Sequence, residues 1–334
     1  MRSACRWCAR ALRRQPLLLV WLVLVLALSG LYDEFGTGAD FRNIAIQASP
    51  LIIAAVGATF VIMTGGIDLS VGSMLFLAAA IESSRALGAA PAGLVFAAIA
   101  ATGLLMGLVN GVAIALTRVP ALIVTLASMQ VFRGAGGHIT GQQNIDLPAH
   151  LQDIGTGSLL GVPAPILLAA VTVLGGVLVF GRTVFGRTVF GRTVFGRHLQ
   201  AVGSNPAAAR DAGLPVRAVT IGAYALAGVL AALASLTQTA RLGAVQPSIG
   251  DGYELTVITA VVLGGTSLFG GRGSIIGTVL GALVLTTAQT GLVFSGASPY
   301  VFDIVRGGVL LVAVIAAAFR WRTLAQALRP AAAS

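Results

Sequence analysis

Three features of this 334-residue chain predict an all-α polytopic membrane protein with about ten transmembrane or re-entrant helices and both termini cytoplasmic. Charged residues are only 10% of the chain, against about 25% in an ordinary soluble domain. Apolar residues reach 57% and the mean hydropathy is +0.93. Basic residues cluster in alternate loops. A soluble domain keeps charged side chains on its surface, and this chain has too few to cover one. A cytosolic globular protein and a disordered chain are therefore excluded. The net charge of +10 does not mark a nucleic-acid binder, because the arginines form no continuous basic face. All 21 basic residues are Arg, and Lys is absent.

A helix needs about 20 apolar residues to cross the hydrocarbon. The first candidate, 16–32, follows Arg2, Arg6, Arg10, Arg13 and Arg14 in a cytoplasmic tail over 1–15. Ala27-Leu28-Ser29 resembles a signal-peptide cleavage site. The rest of the chain is equally hydrophobic, so an uncleaved first helix is the preferred reading. Segments 43–64, 91–117, 163–181, 217–240, 273–294 and 300–320 read as further spans. Segments 70–88, 120–134 and 252–269 are short or carry polar residues, and read as tilted, broken or re-entrant. Irregular backbone at membrane depth requires burial in protein. Together 16–320 reads as a single transmembrane domain, with a second cytoplasmic tail over 321–334.

Arg favours the cytoplasmic side of short loops. Alternating from an inside N-terminus places sixteen Arg inside, against Asp68 and Asp211. Outside loops then hold Arg42, Arg85, Arg133 and Arg241 with eight acids, among them Asp40, Glu82, Asp146, Asp251 and Glu254. Asp303 and Arg306, three residues apart, read as a pair on one helix face. Two loops are long: a polar one outside, 135–162, and a cytoplasmic one, about 182–216. Cys5 and Cys8 form half a zinc motif at most and read as free thiols; His138, His150 and His198 have no ligand spacing.

Three motifs stand out. In Thr64-Gly65-Gly66-Ile67-Asp68-Leu69-Ser70-Val71-Gly72-Ser73, the paired glycines permit a tight turn. Asp68 or Ser70 can cap the following helix; a direct role in a pathway is the alternative. A second Gly-Gly turn, Gly264-Gly265-Thr266-Ser267, precedes Gly270-Gly271 and reads either as a weak internal repeat or as chance similarity between glycine-rich turns. In the long cytoplasmic loop, Asn205 suits an N-cap, Pro206 the first helical position and Gly213 a C-terminal cap. The short helix between them, including Ala207, Ala208 and Arg210, reads as a docking knob, with an ordinary connector as the alternative.

On these residues the chain resembles the permease subunits of bacterial ABC importers for ribose, xylose, rhamnose and related sugars. Pro120 to Leu126 with Arg133-Gly134, Arg197 to Gly213, and Gly252 to Gly271 are similar to further stretches of that family, in order over roughly 40–320. The resemblance implies a signature turn or pathway at Gly65, Gly66, Asp68, Ser70, Gly72, Gly264 and Gly265. It implies a coupling loop at Asn205, Pro206, Ala207, Ala208, Arg210 and Gly213. It further implies a dimer with itself or a paralogous permease, two cytoplasmic ATP-binding subunits, a periplasmic sugar-binding protein and a bacterial inner-membrane location. No cofactor is expected on this chain, and ATP is expected at the partner ATPase. Permeases for autoinducer-2, nucleosides or branched-chain amino acids are the alternatives within the superfamily.

One departure is Phe-Gly-Arg, repeated four times between Phe180 and Arg197 where one copy is expected. Slippage during replication is the plain reading. The alternative is an Arg ladder binding anionic membrane lipid, at about 1 kcal/mol per residue. The absence of Lys excludes an internal P-loop. An ion-coupled secondary transporter needs intramembrane carboxylates, and only Asp303 reads as lying within a segment. A membrane enzyme is the third class, with no His, Asp or Ser constellation to support it.

Overall fold

The computed structural model describes residues 16–84, 87, 90–117, 119–180 and 194–327, with backbone alone at 154, 180, 299 and 316–327. The Arg-rich tail, the middle Phe-Gly-Arg copies, Arg85, Arg118 and 328–334 lie outside the described residues. Within them the chain is helical, with four two-residue strands. The helices are α1 Pro16–Leu31, α2 Gly38–Met63, α3 Val71–Glu82, α4 Ala92–Leu116, α5 Ala121–Thr140, α6 Ala149–Thr156 and α7 Ala164–Phe180. They continue as α8 Val194–Ser204, α9 Pro206–Asp211, α10 Val216–Leu242, α11 Tyr253–Leu263, α12 Ile275–Phe294 and α13 Pro299–Ala327. Four of these, α2, α4, α10 and α12, are long and apolar enough to cross a membrane. α1, α3, α7 and α11 are shorter apolar helices.

The core forms around α2 and α10, which pack against each other, and α10 packs most extensively on α4. Small residues make this possible. A Cβ on Gly103 would overlap the Gly228 carbonyl, one on Gly228 would overlap the Gly103 carbonyl, and one on Gly107 would overlap the Tyr224 carbonyl. Backbones this close are the usual means of helix association where the hydrophobic effect is weak. α1 lies against α12: Trp21 Nε1 donates to Thr287 Oγ1 at 3.0 Å, and Gly291 accommodates Leu28. At one end of the bundle, β1 (Ile145–Asp146) pairs antiparallel with β4 (Ala244–Val245), tying the loop after α5 to the end of α10. β2 (Ser158–Leu159) and β3 (Val162–Pro163) close a hairpin beside α6.

Each of the ten apolar segments overlaps one helix, α1–α5, α7 and α10–α13, but several bounds and placements differ from expectation. α5 does not end at 134. It runs to Thr140 because Gly136 is a contact face, seated on the Phe76 ring of α3. The polar loop therefore begins at 141 and contains α6. α13 continues to Ala327, past the expected end at 320. Asp40 is not a loop residue but closes a capping box with Thr37 at the start of α2. Glu82, expected in a loop, is the last residue of α3; it is fully buried and accepts a 2.8 Å bond from Thr239 Oγ1 of α10. The hydroxyl satisfies one carboxylate oxygen, while Oε1 is buried without a partner among the described residues.

Candidate functional site

α2 ends where Gly65 takes φ +83°, a left-handed conformation that only glycine adopts without strain. Gly65 N–H donates to Ile62 O at 2.9 Å and Gly66 N–H to Val61 O at 3.3 Å. The second turn repeats this. Gly265 has φ +88°, and the N–H groups of Gly265 and Thr266 donate to Val262 O at 2.9 Å and Val261 O at 3.2 Å. Gly66 and Thr266 are both buried, while Gly65 and Gly265 are both exposed. The two turns thus share one backbone conformation, the common left-handed helix cap.

After the first turn the chain runs non-helically to Ser70. Neither Asp68 nor Ser70 caps α3 through its side chain, contrary to expectation. Ser70 sits in the helical region of backbone space, so its hydroxyl does not reach forward. Asp68 Oδ1 instead accepts from Ser70 N–H at 2.8 Å and Ser70 Oγ at 2.6 Å. Asn110 Nδ2 of α4 donates to Ser70 Oγ at 2.8 Å, and Thr125 Oγ1 of α5 donates to Ile67 O at 3.2 Å. Tyr224 of α10 presses its hydroxyl on Gly66, where a Cβ would lie 2.5 Å from it. Asp68, Ser70 and Asn110 form a buried polar chain across α3, α4 and the turn. Among the described residues, Asp68 Oδ2, Asn110 Oδ1 and the Tyr224 hydroxyl have no hydrogen-bond partner.

α3 and α11 have 12 and 11 residues, about half of what a span needs. Their N-termini face each other, for a Cβ on Gly72 would overlap the Gly250 carbonyl and lie 2.6 Å from Glu254 Oε2. Gly72 is ten residues, about 15 Å of helix, from Glu82. Glu82 in turn meets Thr239 near the end of α10. The segment 246–252 therefore descends about 15 Å into the bundle before α11 starts. Two arginines hold it there. Arg133 of α5 donates to Ile249 O at 2.8 Å and Pro247 O at 3.4 Å, pairs with Asp251 at 2.9 Å and lies over the Phe76 ring at 4.8 Å. Arg306 of α13 donates to Gly252 O at 3.1 Å and Thr256 Oγ1 at 2.7 Å. It also pairs with Asp303 at 3.0 Å, the expected i, i+3 pair. Arg133 is thus a helix residue that satisfies irregular backbone inside the bundle, and not a loop charge.

The third group, Asn205 to Gly213, sits apart from these residues. Asn205 Oδ1 accepts from the N–H groups of Ala207 and Ala208 at 3.1 Å, and Pro206 opens α9. Gly213, at φ +77°, donates to Arg210 O at 2.9 Å, and Leu214 N–H to Ala209 O at 3.0 Å. Asn205, Pro206, Ala207, Ala208, Arg210 and Gly213 are exposed, while Ala209 is buried. α8, immediately before, reaches the two turns: Gly203 lies on the Met63 carbonyl, and Gly271 N–H donates to that same carbonyl at 2.9 Å.

The family model described as branched-chain amino acid transport system / permease component matches residues 41–314. The chain belongs to this permease family. The permease is 41% identical over 312 residues to ribose import permease protein RbsC of Escherichia coli K12, covering 91% of this chain and 93% of that one. It is 38% identical to ribose import permease protein RbsC of Bacillus subtilis 168, covering 88% and 89%. To autoinducer 2 import system permease protein LsrC of Yersinia pseudotuberculosis IP 31758 it is 34% identical, covering 89% and 83%. No solved structure matches the permease.

The structure unites the Gly65–Gly72 and Gly264–Gly265 motifs through shared neighbours and adds residues that sequence reasoning missed. Asn110 and Tyr224 complete the first turn, and Glu82 and Thr239 pair inside the bundle. A lone amide within an apolar helix was the one available signal, at Asn110.

Proposed function

We propose that this membrane permease is the transmembrane subunit of an ABC importer that moves a sugar, most closely a pentose, from a periplasmic binding protein to the cytoplasm. Its near-full-length kinship with ribose import permeases carries the reading. The subunit lies in the bacterial inner membrane with about ten membrane-embedded helices, both termini and α9 on the cytoplasmic side. Two copies, or one copy and a paralogue, enclose the pathway. The chain binds no cofactor, and a separate ATPase subunit, docked at α9, hydrolyses ATP. The chain has no lysine and hence no P-loop of its own. The half-helices α3 and α11 fit this role, because transport sites form where broken helices end inside the bundle. An autoinducer-2 permease is the second reading, carried by the 34% relative.

Uptake of labelled ribose into proteoliposomes holding permease, ATPase and binding protein tests the proposal. Uptake is expected only with ATPase and ATP, and unaffected by ionophores. Robust uptake by this chain alone would overturn it, and competition by autoinducer-2 without competition by pentoses would shift the substrate.

A further inference from the structure

α8 meets the two Gly-Gly turns through backbone and, beyond it, the short side chain of Ser204. Gly203, buried in the last turn of α8, sits where a Cβ would overlap the Met63 carbonyl and lie 2.5 Å from Gly271 N. On the other side, a Cβ on Gly270 would lie 2.7 Å from Gly203 O, 2.9 Å from Gly65 N and 3.0 Å from Gly65 Cα. A Cβ on Gly271 would overlap Ser204 Oγ. Met63 O accepts Gly271 N–H at 2.9 Å, so the last residue of α2 is bonded to the second turn. The second turn is braced by Ser267 N–H to Arg272 O at 3.0 Å and Gly270 N–H to Ser267 O at 3.1 Å.

Side-chain contacts yield by changing rotamer, whereas backbone in van der Waals contact has no such freedom. α8 also runs into α9 without a flexible link, since Asn205, the N-cap of α9, donates its N–H to Ala201 O of α8 at 3.1 Å. Only two residues separate Gly203 from Pro206. Each turn continues into a half-helix or ends one: the first leads into α3, and the second closes α11.

We propose that Gly203, Gly270 and Gly271 form a rigid transmission joint, through which a displacement of α9 moves both Gly-Gly turns, and with them α3 and α11, as one body. These are positioning residues. The inference rests on the reading of α9 as the ATPase dock.

The test uses the complete complex in proteoliposomes, with labelled ribose and ATP. Gly203→Ala is expected to co-purify with the ATPase and to hydrolyse ATP near the wild-type rate. Ribose moved per ATP should fall at least about tenfold, the size of an ordinary coupling between sites. An unchanged ratio would overturn the joint, even if both rates fell. Should Gly203→Ala fail to assemble, hydrogen exchange on the wild-type complex decides the matter. Peptides covering 63–70, 199–204 and 264–274 are expected to change protection together between nucleotide-free and vanadate-trapped states. A change in 199–204 without the other two would overturn the joint. A wild-type chain that binds no ATPase would sink the permease reading itself, a result distinct from both.

Discussion

The two ends of the half-helix pair are held by opposite means. On the α9 side, the Gly-Gly turns meet α8 with glycine against glycine and carbonyl against amide. On the far side, segment 246–252 hangs from the side chains of Arg133 and Arg306. The first junction has no long side chain to rearrange, only Ser204, so it is stiff. The second is made of long, rotatable side chains whose carboxylate partners, Asp251 and Asp303, are 62% and 57% exposed. It can release and re-form at modest cost, because partly exposed ion pairs are weak. On the proposed function, the contrast gives stiffness to the end nearer the ATPase dock and adjustability to the end nearer the solute.

The largest effect is expected from Gly270→Ala. The new Cβ meets Gly203 O and Gly65 N inside contact distance, at a residue with φ +81°. Left-handed backbone costs a non-glycine residue about 1–2 kcal/mol, and overpacking adds about 1–3 kcal/mol. Thermal unfolding of the detergent-purified permease should show a clear fall in Tm. An unchanged Tm would mean the α9-side junction is slack, and the contrast with the arginine-held segment would disappear.

Arg133→Ala should cost less stability and more transport. It removes charge-assisted bonds worth about 1.5–3 kcal/mol in sum, discounted for the exposure of Asp251. The bundle itself is expected to stay folded, because its core lies between α2, α4 and α10. Ribose uptake should drop while ATPase co-purification is retained. Arg133→Lys should recover only part of the loss, because one ammonium cannot reproduce a planar fork on two carbonyls and a carboxylate. Full recovery by Lys would reduce the role of Arg133 to its charge.

The two regions also differed in how far they could be read beforehand. Gly-Gly pairs and the Asn-Pro…Gly bracket are local signals, since a positive φ and a cap are set by residues adjacent in sequence. The turn at Gly65 and the helix at Pro206–Asp211 were therefore legible. So was the Asp303–Arg306 pair, one turn apart. Arg133, Glu82 and Asn110 were not, because their partners Ile249, Thr239 and Ser70 are distant in sequence. Counting charges by segment ends misplaced Arg133 and Glu82 for the same reason: a buried partner far along the chain keeps a polar residue within a helix. The missed capping at Ser70 has a separate cause, a backbone angle that the residue types alone did not reveal.

The smallest effect is expected from deleting Thr183 to Arg197. The middle repeats lie outside the described residues, but the last copy is built into α8: Phe195 packs against Gly222 of α10, and Gly196 is buried. The deletion leaves Phe180-Gly181-Arg182 directly before His198 and so restores that copy. α7 and α8 already touch, which leaves room for a shorter connection. The deletion removes the link together with Val194–Arg197 of α8, so Phe180 leaves the end of α7 to take the place of Phe195. ATPase co-purification and ribose uptake should stay near wild type, because the joint at Gly203 begins beyond the deleted stretch. Loss of ATPase co-purification alone would show that the repeat, and not only α9, meets the ATPase. The stiff junction would then have a second input, and its contrast with the arginine-held segment would have to be redrawn around two points of contact.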